Sequence, residues 1–207
     1  MSFNKIGFNK ILGAFPTLER DERLELVQQL EENAQANIDF IMMMVLSTSL
    51  ASLGLLADST AVVIGAMLVA PLMGPLVAAG CSLVQGNLSL FRRSLAVILI
   101  GIGIGFAASL IFGALNPGFE PTLEIEARGK ADLLDLGIAF FSGMTAAYAT
   151  GRSHVMTTIA GVAIAAALVP PLAVVGLALT HGRPLISFNA AILLTTNLVA
   201  IILGAAI

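Results

Sequence analysis

Charge is what this 207-residue chain has least of: Asp, Glu, Lys and Arg together make up 11% of it, against 57% hydrophobic residues. At a mean hydropathy of +0.96 there is too little polar surface to cover a water-soluble core, which excludes an ordinary soluble domain. The net charge of -3 is carried mainly by the segment before residue 38 and by residues 116–134. No basic cluster exists, so nucleic acid is excluded as a partner. The one cysteine, Cys81, lies in an apolar run, so no intrachain disulfide can form and no redox compartment can be read. Residues 1–37 have no continuous apolar core of a cleavable signal, so the first span is expected to target the chain. No acidic or basic residue lies deep in an apolar run, which argues against an internal carboxylate proton relay. There is no G-x-S-x-G, no H-E-x-x-H, no metal-ligand spacing and no cofactor motif, so an enzyme is the last of the readings.

What the chain does have is six apolar stretches, at about 38–56, 60–84, 94–115, 135–150, 154–179 and 187–207. Each is near the roughly 17 to 25 residues needed to span a bilayer as helix. The expected fold is an all-α integral membrane protein whose partner is the lipid bilayer. Ahead of the spans, residues 1–37 divide at Pro16. Phe3, Ile6, Phe8, Ile11, Leu12 and Phe15 alternate with Lys5 and Lys10, which suits either a helix in the membrane interface or a frayed tail. After the candidate cap Thr17, the spacing of Leu24, Val27, Leu30, Ala34 and Ile38 predicts an amphipathic helix running toward the first span.

A shift of 96 positions superposes residues 65–86 on 161–182 without a gap, with eight identities in 22 positions, Pro75 on Pro171 and Gly86 on Gly182 among them. Composition alone gives roughly two or three, so the pattern is an internal repeat. The spans fall into two sets of three, 38–115 and 135–207, joined by the 116–134 loop. Because three is odd, the second set enters the bilayer from the opposite side, making the repeats inverted. In the short loops, Lys5, Lys10, Arg20, Arg23, Arg92, Arg93 and Arg152 fall on one side and Arg128, Lys130 and Arg183 on the other, which predicts cytoplasmic termini.

The candidate site follows from the prolines. A proline inside a helix withholds one backbone donor and clashes with the preceding turn, and in hydrocarbon the freed carbonyl must find another partner. Pro71, Gly74 and Pro75 in the second span, and Pro170 and Pro171 in the fifth, are expected to break both helices at matched depths. Such paired breaks point to a substrate site in transport proteins; the alternative is a pair of simple kinks. Polar side chains that could line the same path are Ser47 and Thr48 in the first span and Thr196 and Asn197 in the sixth, with interhelical hydrogen bonding as the competing role. Asp58 and His154 precede the two broken spans and are candidates for gating or interfacial proton exchange, against helix capping for Asp58 and a plain surface position for His154. In the third span Gly101, Gly105, Ser109 and Gly113 recur every four residues. That bare stripe predicts close packing, within the protomer or in a homo-oligomer.

The run LSTSLASLGLLADSTAVVIGAMLVAPLMGPL, Leu46 to Leu76, resembles the prokaryotic uncharacterised hydrophobic membrane proteins of domain-of-unknown-function family 389. The GAMLVAPLMGP block is the most specific part. The resemblance implies a prokaryotic inner-membrane protein and leaves the substrate open. The expectation is therefore a channel or carrier passing a small solute or ion at the broken second and fifth spans. The main alternative is a membrane scaffold or sensor that recruits partners through its N-terminal helix.

Overall fold

The computed structural model describes residues 20–117, 122–128, 132–151 and 157–207. The tail before residue 20, Pro16, Thr17 and His154 lie outside these. Among the described residues the chain forms nine helices: α1 (Arg20–Asn33), α2 (Ile38–Leu56), α3 (Thr60–Val69), α4 (Met73–Gln85), α5 (Leu88–Leu115), α6 (Leu123–Arg128), α7 (Leu133–Thr150), α8 (Thr157–Thr180) and α9 (Pro184–Ala205). Five are long and apolar enough to cross a membrane, and the bent pair α3 and α4 makes a sixth if counted as one span. The protein is thus a multi-pass, all-helical membrane protein.

Helix ends follow local chemistry. The expected amphipathic helix does not run on into the first span. It stops at Asn33, and Asn37 starts α2 afresh by accepting a hydrogen bond from the Phe40 N–H at 2.7 Å. That restart resets the helical phase, so Leu30 and Ala34 are buried as predicted while Ile38 is 78% exposed. Asn87 caps α5 in the same way, taking the Leu90 N–H at 3.1 Å, and so extends this helix six residues before the predicted start, past Arg92 and Arg93. Their long side chains can carry the charge to the interface while the stems stay apolar. Gly86 and Gly182, with φ of 65° and 66°, end α4 and α8. In both, the glycine N–H reaches back three residues (3.3 Å) and the next residue's N–H five (3.0 and 2.9 Å). This glycine-terminated turn is one that L side chains adopt poorly.

The most enclosed helix is α8: 72% of its membrane-length stretch is buried, against 28–44% for the other four candidate spans. Small residues allow its neighbours to approach. A Cβ on Gly105 would lie 2.5 Å from Leu172 of α8 and 2.7 Å from Thr48 of α2, and one on Gly101 would lie 3.0 Å from Phe40. Ser109 packs on Gly176, and Gly113 on Thr180. The stripe of the third span is therefore used inside the protomer. Around Gly103, on the opposite face, a Cβ would meet nothing within 4 Å.

Gly105→Leu should consequently destabilise the fold by about 1–3 kcal/mol or more through overpacking, whereas Gly103→Leu should leave it unchanged. Thermal unfolding of the purified protein in detergent checks this; equal stability of the two variants would remove the stripe from the packing core.

Candidate functional site at the helix break

Two proline segments that match in sequence have folded differently. In the first, Ala70–Leu72 leaves the helix and the chain bends by 58° between α3 and α4. Pro71 stands in the gap itself, where it withholds the donor that the Met67 carbonyl would otherwise receive. Pro75 lies in the first turn of α4, where a helix needs no donor from it. The break exposes the last carbonyls of α3, and Ser47 answers one of them: its Oγ donates to the Ala66 carbonyl at 2.8 Å from a fully buried position on α2. Gly74 and Pro71 are half-buried, and Pro75 is buried.

The expected second break is absent. Pro170 and Pro171 are buried inside the continuous helix α8. Between them they leave the Ala167 carbonyl with no donor from either the third or the fourth residue onward. Asn197 of α9 supplies it, its Nδ2 donating to Ala167 O at 2.9 Å. The fixed φ of proline suits a helix, and a helix packed on all sides with its orphan carbonyl satisfied has no reason to open. The first segment differs because its prolines are four residues apart, spoiling successive turns, and Gly74 lies between them. Asn197 is 3% exposed and its Oδ1 meets no donor.

The other candidates divide. Thr48 is fully buried, donates to Met44 O of its own helix at 2.7 Å and turns its methyl toward Gly105. Thr196 donates to Ile192 O at 2.9 Å and faces an apolar outer groove with Leu133, Phe140 and Leu203, so adjacency to Asn197 in sequence does not bring it to the prolines. Asp58 takes a left-handed conformation, φ 48°. It does not cap α3; its Oδ1 accepts the Glu124 N–H at 3.2 Å, beside a hydrogen bond from Thr122 Oγ1 to Leu55 O at 2.8 Å. Asp58 thus ties the α2–α3 turn to α6.

Two polar cavities reach the break. One, of about 420 Å³, is lined by Gln29, Glu32, Asn33, Ala70, Met73 and Gly74 among others. The second, about 350 Å³, shares Glu32, Asn33, Met73 and Gly74 and adds Asn37, Asp39, Pro71 and Pro75. At roughly 30 Å³ per water, each is large enough for several waters or a small solute. The residues of α1 that line them have no proline, glycine or buried-polar signature in the sequence, which is why reading the chain alone passed over Glu32 and Asn33.

Residues 67–203, more than half of the chain and including both proline segments, match the family described as Domain of unknown function (DUF389). The chain belongs to this family. An uncharacterised protein of Methanocaldococcus jannaschii is 31% identical over 200 residues, which cover 92% of this DUF389 chain and 62% of the archaeal protein. The chain therefore spans less than two thirds of that relative's length. No solved structure matches it.

If Asn197 is present to serve the carbonyl that Pro171 frees, Asn197→Leu should cost about 1–3 kcal/mol, the penalty for a buried group left without its partner. In a Pro171→Ala background the alanine N–H can take over, and the same substitution should cost much less. A double-mutant cycle by unfolding in mixed micelles measures the difference; strict additivity would separate the two residues.

Proposed function

We propose that the protein is a channel or carrier for a small cation, with its path at the break between α3 and α4. The observation that carries this reading is the pair of polar cavities, bordered by exposed residues of α1 and reaching non-helical backbone within a span. Irregular backbone in a membrane is tolerated where it lines a cavity or is buried in protein, and here it lines one. The carboxylates of Glu32 and Asp39 border the cavities, together with the amides of Gln29, Asn33, Gln35 and Asn37. Such a vestibule raises the local concentration of cations over anions.

The inverted six-span architecture belongs to the same reading. Gly80 packs on Ala205 while Gly176 packs on Ser109, two pairs that exchange under the 96-residue shift, as a twofold relation requires. The matched turns at Gly86 and Gly182 support it too. Thr122 bonds Leu55, and Asn116 meets His181 through its carbonyl at 2.6 Å, which gathers the ends of α2, α5 and α8 on one side. Since α5 runs unbroken for 28 residues, its start at Leu88 falls on the other side, so α3 and α4 together cross rather than re-enter. The excess of Arg and Lys at that second side makes it the cytoplasmic one, in a prokaryotic cytoplasmic membrane. A homo-oligomer is part of the proposal, built on outer faces because the α5 stripe is spent within the protomer.

The asymmetry between the copies fits a transport protein whose matched segments take two states, broken in the first and continuous in the second. A screen of cation, anion and neutral-solute flux in proteoliposomes tests the reading. Cations should pass, and Pro71→Ala/Pro75→Ala, which lets the backbone regain its helical donors, should carry no more than empty vesicles while remaining folded. Undiminished flux in that variant, or no flux of any solute through the unaltered protein, overturns the proposal.

A further inference from the structure

We infer that α1 is a built-in plug for the break, closing the path from the vestibule side until it swings away. The inference rests on the transport reading and names how the same site is regulated. Asn33, the last residue of α1, sits directly on Gly74: a Cβ on that glycine would lie 2.9 Å from both Cβ and Cγ of Asn33 and 3.0 Å from its Oδ1. Glycine at position 74 lets the end of α1 rest this closely on the first turn of α4. The two cavities share Glu32, Asn33, Met73 and Gly74, so the end of α1 stands between them and divides what would otherwise be one vestibule over the gap. Beside it Met73, the first residue of α4, lines both cavities and is half-buried.

Among its described side chains, α1 buries Leu30, with Leu26 and Val27 partly buried, and Ala34 is buried just past its end, while Gln28, Gln29, Glu31 and Glu32 remain exposed. The charged and amide residues give α1 a water-compatible surface when undocked, unlike any of the spans. Residues 35–37 that follow it are exposed and non-helical, and the Asn37 cap keeps α2 intact independently of α1. These are the properties of an arm on a hinge: a short linker, a capped helix after it, and a helix whose described polar side chains stay exposed. The site it covers is one where α4 lacks a side-chain cap of its own, Leu72 making no capping bond.

The test uses the full chain with Cys81→Ala, which removes its only thiol. Asn33→Cys with Gly74→Cys places two thiols across the contact, where a small shift brings their Cβ atoms to the roughly 3.5–4.5 Å of a disulfide. Oxidation should lock the plug and abolish cation flux in proteoliposomes, and reductant should restore it. A second measurement needs no solute: Met73→Cys, which lines both cavities beside Glu32 and Asn33, should react slowly with a hydrophilic maleimide, and several-fold faster when Leu30→Gln loosens α1. Labelling that responds to Leu30→Gln in a protein that moves no solute would uphold the plug and sink the transport reading. Flux that is equal in the locked and reduced states, or labelling of Met73→Cys that ignores Leu30→Gln, overturns the plug and leaves transport standing.

Discussion

Every backbone carbonyl held away from water must accept a hydrogen bond from somewhere, and in a chain with so few polar residues the donors are scarce. The helices meet nearly all of this demand internally. Pro71, Pro170 and Pro171 withdraw donors from it, and much of what is distinctive in the molecule is how those losses are met. Around Pro171 the debt is settled by one amide, Asn197, reaching from α9 to Ala167. Around Pro71 the helix gives way, Ser47 serves the Ala66 carbonyl, and polar cavities take up the space that remains.

Close approach is the second condition. Asn197 and Ser47 can reach neighbouring backbone only because glycine and alanine keep the helices near one another. Gly80 against Ala205, Gly176 against Ser109, and Gly143 and Gly204 at the crossing of α7 with α9 leave no room for a Cβ. The hydroxyls that do not reach across, such as Thr48, Ser52, Thr145 and Thr196, fold back onto their own helix carbonyls. Each serves a carbonyl of its own helix, whereas Ser47 and Asn197 serve a neighbour's, a distinction that no count of polar residues per span could draw.

The helical plan was largely legible in the chain. Apolar run length placed most span ends to within about three residues, because it acts through the cost of exposing polar groups to lipid; the start of α5 was missed by six residues because the Asn87 cap sets it. The bare stripe on α5 was equally legible as a packing face, since four-residue spacing fixes which side chains share a side. Its partner was not, because small residues permit contact without specifying with whom.

Sequence by itself determined that this is a helical membrane protein in which residues 65–86 resemble 161–182, Pro75 falling on Pro171. Tertiary structure decided what the prolines became. A proline removes a donor wherever it stands, but whether the helix then opens depends on whether a neighbour can donate instead, and Asn197 lies 30 residues from Ala167. Tertiary packing also brought α1 onto Gly74, joining a segment outside the spans to the gap within one. Neither contact has a local signature, since each joins groups that are distant along the chain and meet only when the helices assemble.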